Sequence, residues 1–270
     1  MRKTRNLSFF VCLLTVSTVL SPAAMAQDAR EIIQTAIDRY EQRMSGVENY
    51  TIVQEVMGFE STSYYEKQMV DGRSVFKLID TYGDDSQDDM GEMYEGFMEV
   101  ADRARYSGKE DVAGNETYVL TVDDFSGLAL QDKNDNFKPK KGIFYLDTND
   151  YIIRRIVMEG VVDRDGQQQP TTADMFFEDY RAVDGMTHPF TINMSVTGVN
   201  SGLSDEELAQ AREDLAKLRK QMEEMPESQR KMMESMMGPQ IDKLEEMVES
   251  GNIDLSITVK QLRVNQGPPN

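Results

Sequence analysis

Few residues in this chain are equipped for bond-making chemistry. The single histidine is His188, in Met186-Thr187-His188-Pro189, and the single cysteine is Cys12. A lone imidazole needs a thiol, or a serine with an acid, to activate a nucleophile, and no Gly-x-Ser-x-Gly elbow occurs to present one. Carboxylates are so abundant, at 48 Asp and Glu, that no spaced pair stands out for glycosidase-type work. The aspartates of Gly83–Asp89 lack the glycine turn and closing glutamate of a calcium loop. Asp132, Asn134 and Asn136 begin like such a loop, but Phe137 stands where glycine is required and Ile143 where the closing glutamate belongs. The expectation is no enzyme, no cofactor and no metal site. The remaining signal is methionine, 19 in all, seven of them between Met222 and Met247. Thioethers can hold Cu(I), fill helix seams, or line adaptable apolar surfaces. Met233 and Met237 fall on a helical seam, which favours packing.

The elements that position these residues centre on Gly142–Thr197. Phe144 and Leu146, then Ile152, Ile156 and Met158, then Phe190, Ile192, Met194 and Val196 follow period two, with Asp147–Asp150, Asp163–Gly166 and Asp184-Gly185 as breaks. Period two with Asn, Asp and Gly punctuation predicts an antiparallel meander. Before it come strand candidates at Tyr50–Met57, Ser63–Val70 and Ser74–Ile79, the last two joined by Asp71-Gly72, and a hairpin turning at Ala113-Gly114-Asn115. The first three have apolar residues on both faces, as a curved sheet with two apolar surfaces requires. Near the C-terminus Ile253, Leu255, Ile257 and Val259 alternate, and the phase then shifts to Leu262 and Val264, predicting a bulge near Lys260.

Helical spacing predicts an amphipathic helix over Asp28–Met44 (Ile32, Ile33, Ala36, Ile37, Tyr40, Met44), with Asp28 as N-cap and Gly46 as stop, and a second over Met90–Arg103. Ser204 with Glu207 opens a long helix whose Leu208, Ala211, Leu215, Leu218, Met222 and Met225 form a heptad seam. Pro226 breaks it. A second arm runs to about Ser250 with Met233, Met237, Leu244 and Val248 facing one way, disturbed at Gly238-Pro239. The pair predicts an antiparallel helical hairpin inserted between two strands.

Arg2, Lys3 and Arg5, the apolar Leu7–Leu20, and Ala24-Met25-Ala26 describe a cleaved secretory signal peptide over 1–26. The apolar run is shorter than the roughly 20 residues of a bilayer span. The expectation is periplasmic export without disulfides and with no stable membrane insertion after cleavage. Formal charge is −19, and removing those three basic residues makes it −22, a field that repels nucleic acid and anionic lipid.

The run Tyr106-x-Gly-Lys-Glu-x-Val-x-Gly-x-x-x-Tyr-Val-Leu120, the pair Phe144-Tyr-Leu-Asp147 and Ile152-x-Arg-Arg-Ile156, and Asp179-Tyr-Arg-x-Val-Asp-Gly-x-x-x-Pro-Phe190 resemble the outer-membrane lipoprotein-sorting family, the LolA/LolB-like proteins. That resemblance implies a half-open antiparallel barrel lidded by helices, with an apolar concave surface receiving lipoprotein acyl chains. The expected fold class is α+β, a curved antiparallel β-sheet with helices on its concave side and the inserted hairpin. Residues 27–202 and 252–265 would form the half-barrel, 203–251 the hairpin and 266–270 a flexible tail. Ile52, Val56, Phe76, Leu120, Phe144, Ile156, Phe177, Ile192 and Met194 are the expected cavity lining. Met222, Met225, Met232 and Met236 are expected to form a lid or a partner surface. The expected ligand is a lipid or lipoprotein acyl chain. The alternative is a regulatory protein gripping a protein partner through 204–250.

Overall fold

The computed structural model describes residues 22–70, 73–82, 97, 99–128, 137–164, 167–198 and 205–269. Helix α1 (Pro22–Met44) is followed by β1 (Asn49–Val56), β2 (Phe59–Val70), β3 (Arg73–Tyr82), β4 (Arg105–Val112), β5 (Asn115–Val122), β6 (Phe137–Asp147), β7 (Ile153–Arg164), β8 (Gln167–Val183) and β9 (Met186–Thr197). Helices α2 (Asp205–Glu224) and α3 (Glu227–Ser250) intervene before β10 (Ile253–Val264). The ten strands form one open antiparallel sheet in the order β3-β2-β1-β10-β9-β8-β7-β6-β5-β4. Sequence neighbours pair except β3 and β4, which lie at opposite edges, and the last strand inserts between β1 and β9.

Tight turns set the registers. Val56 faces Phe59 across Met57-Gly58, Val112 faces Asn115 across Ala113-Gly114, and Val183 faces Met186 across Asp184-Gly185. All six turn residues have positive φ, the geometry that matches strand twist in two-residue hairpins. The bulge expected near Lys260 is present: Val53 pairs with Gln261 and Gln54 with Val259, leaving Lys260 unmatched. β2 starts at Phe59, earlier than the expected Ser63, because Met57-Gly58 carries the turn.

Helix α1 begins at Pro22, not at Asp28. Proline suits a first helical turn and the following Ala23-Ala24-Met25-Ala26 are strong helix formers, so the helix extends backward past the expected cap. Its buried Ala29, Ile33, Ala36 and Ile37 pack on one sheet face against Leu120, Phe144, Ile156, Phe177 and Ile192. Phe97 and Val100, in the helical stretch before β4, seal the same cluster. The other residues of that expected helix's apolar side, Met90, Met93, Tyr94 and Met98, lie outside the described residues, as do the acidic loop and Asp132–Asn136. Arg39 and Arg43 donate to the carbonyls of Asn149 (2.9 Å) and Asp150 (3.0 Å), tying α1 to the β6–β7 turn. That turn is built by the Asp147 carboxylate, which accepts from the N–H groups of Asn149 and Asp150 and from Arg154. Burial works to raise the Asp147 carboxyl, but these donors outweigh it and hold it below the usual carboxylate range.

Alternate positions of the same strands are apolar too. Val119, Tyr145 and Val157 form a smaller cluster with Val112 on the opposite face. Arg155 lies over the rings of Tyr145 (5.2 Å) and Phe176 (4.7 Å), pinned by two bonds to Asp174. After β10, Asn265 accepts from the N–H of Glu48, and the Gly267 N–H donates to Asn49.

In the hairpin, the α2 seam is as expected, with Ala211, Leu215, Leu218 and Met225 half-buried and Met222 buried. The α3 seam differs. Ile241 (1% exposed) and Val248 are its buried residues, whereas Met237 and Leu244 are 36% and 39% exposed. The helix runs unbroken through Pro239, so the apolar row continues from Gly238 to Ile241, one step round from Met237. Arg219 joins the arms through Glu245 (2.9 Å) and Asp242.

Candidate apolar binding cleft

At its C-terminal half α1 stands away from the far wing of the sheet, leaving a cleft of about 580 Å³. This size lies in the range of small-molecule pockets, about 300–1,000 Å³. Ile37, Tyr40 and Met44 form its helical wall, and Met69 and Phe76 its strand wall. These residues meet because helical spacing puts Ile37, Tyr40 and Met44 on one stripe, while Tyr65, Lys67 and Met69 alternate on one face of β2. Beneath the cleft Tyr50 stacks on Tyr65 at 4.7 Å and tilts against Phe76 at 5.2 Å, a rigid aromatic floor.

Polar groups share the lining: Gln34, Glu41, Ser45, Lys67 and Ser74. The Lys67 ammonium bonds Glu48 at 3.0 Å and the Ser45 carbonyl at 3.3 Å and lies 5.9 Å from the centre of the Phe76 ring, a paired cation within the strand wall. Ser74 donates its hydroxyl to the Met69 sulfur at 3.4 Å. Among the described lining residues, the serine hydroxyls bond the Gln42 carbonyl and the Met69 sulfur.

His188 is the third residue of β9 and 1% exposed, among Met186 and Phe190. Its Nε2 has no partner among the described residues, and burial pushes the imidazole down to about 4. It is a neutral core residue at physiological pH. Among the described residues no group of three or more His, Cys, Asp or Glu is placed to hold a metal ion.

The nine expected lining residues fall in different places. Phe76 lines the cleft, and Ile52 belongs to the cluster under it. Leu120, Phe144, Ile156, Phe177 and Ile192 lie in the packed core beneath α1. Val56 is half-buried opposite Ile257. Met194 borders a second cleft of about 240 Å³ with Asp174, Phe176, Asn193, Asp254 and Lys243. Ile37, Tyr40, Met44, Lys67 and Met69 were not expected as site residues; their alternation and helical stripe were visible, but not the gap between them.

The second cleft also locates the hairpin. Asp174, Phe176 and Asn193 alternate with Met175, Phe177 and Ile192 of the α1 cluster, so Lys243 of α3 faces the sheet from the side opposite α1. A Cβ on Gly58 would lie 2.3 Å from Gln240, which puts α3 against the β1–β2 turn. No described hairpin residue lines the larger cleft. Met222 is buried inside the hairpin, Met225 is half-buried and Met232 is 60% exposed; the side chain of Met236 lies outside the described residues. Among the described residues no helix is long and apolar enough to cross a membrane.

No known family profile matches the chain, and no curated protein matches it in sequence. Its structure is similar to that of an outer membrane lipoprotein-sorting protein domain from Vibrio parahaemolyticus, at 12% identity over 90% of this chain and 95% of that one, with a TM-score of 0.44. A DUF1329 family protein from Desulfovibrio piger gives 10% identity, 91% and 95% coverage and a TM-score of 0.44. A LolA superfamily protein from Nitrosomonas europaea gives 9% identity, 87% and 94% coverage and a TM-score of 0.35.

Proposed function

We propose that this chain is a non-enzymatic carrier that shelters an acyl chain of a lipid or lipoprotein between α1 and the β2–β3 wing, working in the periplasm after removal of a signal peptide. The observation that supports it is the cleft itself: about 580 Å³, walled by Ile37, Tyr40, Met44, Met69 and Phe76, with the Lys67 charge neutralised by Glu48. Burying an alkyl chain there returns about 0.8 kcal/mol per methylene, enough for a carrier that must also release its load. The test is organic extraction of the purified protein followed by lipid mass spectrometry, with displacement of a fluorescent fatty acid in parallel. A protein that carries no lipid and binds no probe would sink this reading.

A second reading keeps the sheet as scaffold and gives the work to α2–α3. It is favoured by Met232, 60% exposed, and by the hairpin's position away from the cleft. Deleting residues 204–250 separates the two: the carrier reading expects the probe still bound, the hairpin reading expects loss of a protein partner alone.

A further inference from the structure

The methionines around the cleft and its floor differ sharply in access. Met44, on the helical wall, is 5% exposed and Met186 beneath is 3% exposed. Met69 both lines the cleft and is 66% exposed. Its sulfur is held in place by the Ser74 hydroxyl at 3.4 Å, which occupies one lone pair and leaves the other free to react. Thioether oxidation needs solvent access and an available lone pair, and turns a flexible apolar side chain into a polar one.

We propose that Met69 is a reversible oxidation site that controls ligand binding in the cleft, with a peroxide as oxidant. This inference rests on the reading of the cleft as an apolar-ligand site. The sulfur attacks one oxygen of hydrogen peroxide; the S–O bond forms as the O–O bond breaks, sulfur loses two electrons, and the other oxygen leaves as hydroxide, which takes the proton from the transferred oxygen to give water. The product places an S=O dipole on the strand wall opposite Ile37 and Met44. An acyl chain lying against that dipole strips water from it without replacing its hydrogen bonds, so binding weakens. Met232 has nearly the same exposure, 60%, but sits on α3 away from the cleft, and so reports oxidation without the consequence. A reductase that restores the thioether restores the wall.

The experiment titrates the protein with a fluorescent fatty acid before oxidation, after hydrogen peroxide, and after methionine sulfoxide reductase, with peptide mass spectrometry locating the added oxygens. Wild type, Met69→Leu and Met232→Leu are each compared with their own untreated form. The expected result is oxygen on Met69 and Met232 ahead of Met44, an affinity about tenfold weaker in wild type and Met232→Leu, full recovery after the reductase, and no change in Met69→Leu. Unchanged affinity with Met69 fully oxidised overturns the proposal, as does an equal loss in Met69→Leu or oxidation of Met44 ahead of Met69. Failure of the untreated protein to bind the probe overturns the cleft reading itself, and is seen before any oxidant is added.

Discussion

The same helix meets the same sheet in two ways. Along β5–β9 it is in full contact: Ala29, Ile33 and Ala36 press on Leu120, Phe144, Ile156 and Ile192, and Phe97, Phe125 and Leu128 close the margins. Along the β1–β3 wing the floor is as apolar, with Tyr50, Tyr65 and Phe76, yet the space above is open. Strand pattern does not separate the halves. Among the described residues, what separates them is the number of elements supplying side chains to the gap, several over the meander and α1 alone over the wing. Among these residues the cleft lies where the second layer is thinner, with no special residue added.

Predictions from this contrast begin with the packed half. Leu120→Ala removes a fully buried side chain and should cost about 3 kcal/mol in urea unfolding with probe affinity unchanged. A similar loss of binding would mean that the two halves are one site. His188 comes next. Its folded value lies below the ordinary one, so the unfolded chain binds the proton more readily; stability is full above about pH 6.5 and falls as pH drops toward about 4. The loss should reach about 3 kcal/mol by pH 4, read from thermal midpoints, and a His188→Gln variant should flatten that profile. In the open half, Met69→Asp should weaken fatty-acid binding about tenfold while shifting stability by no more than about 0.5 kcal/mol. Smallest of all, Gly58→Ala should cost about 1 kcal/mol, since the turn needs positive φ and the new methyl meets Gln240; probe binding should hold. Weaker binding there would link the hairpin to the cleft.

Much of the sheet was legible because turn chemistry and period two act locally. Asp184-Gly185 and Ala113-Gly114 announce their hairpins, and the phase change from Val259 to Leu262 announces the bulge. The start of α1 was not, since its Ala-rich first turns also read as a cleavage site. On α3 Val248 was legible, but Ile241 was missed because Gly238-Pro239 hides the row leading to it. The cleft was illegible for a deeper reason. Phe76 and Phe144 have the same residue type and strand setting, and whether each meets a cavity or a neighbour depends on elements distant in sequence.

The place of β10 carries a further consequence, for the order in which the molecule can be assembled. The last strand made lies between β1 and β9, with Tyr50 facing Val264 across nearly the whole chain. Until Ile253–Val264 emerges, β1 and β9 each present an unpaired edge, and no strand pairing joins the wing to the body. Such long-range pairing is slow to form and exposed to mispairing while it waits. The wall bearing Met69 and Phe76 therefore gains its strand-paired anchor to the body only when β10 docks.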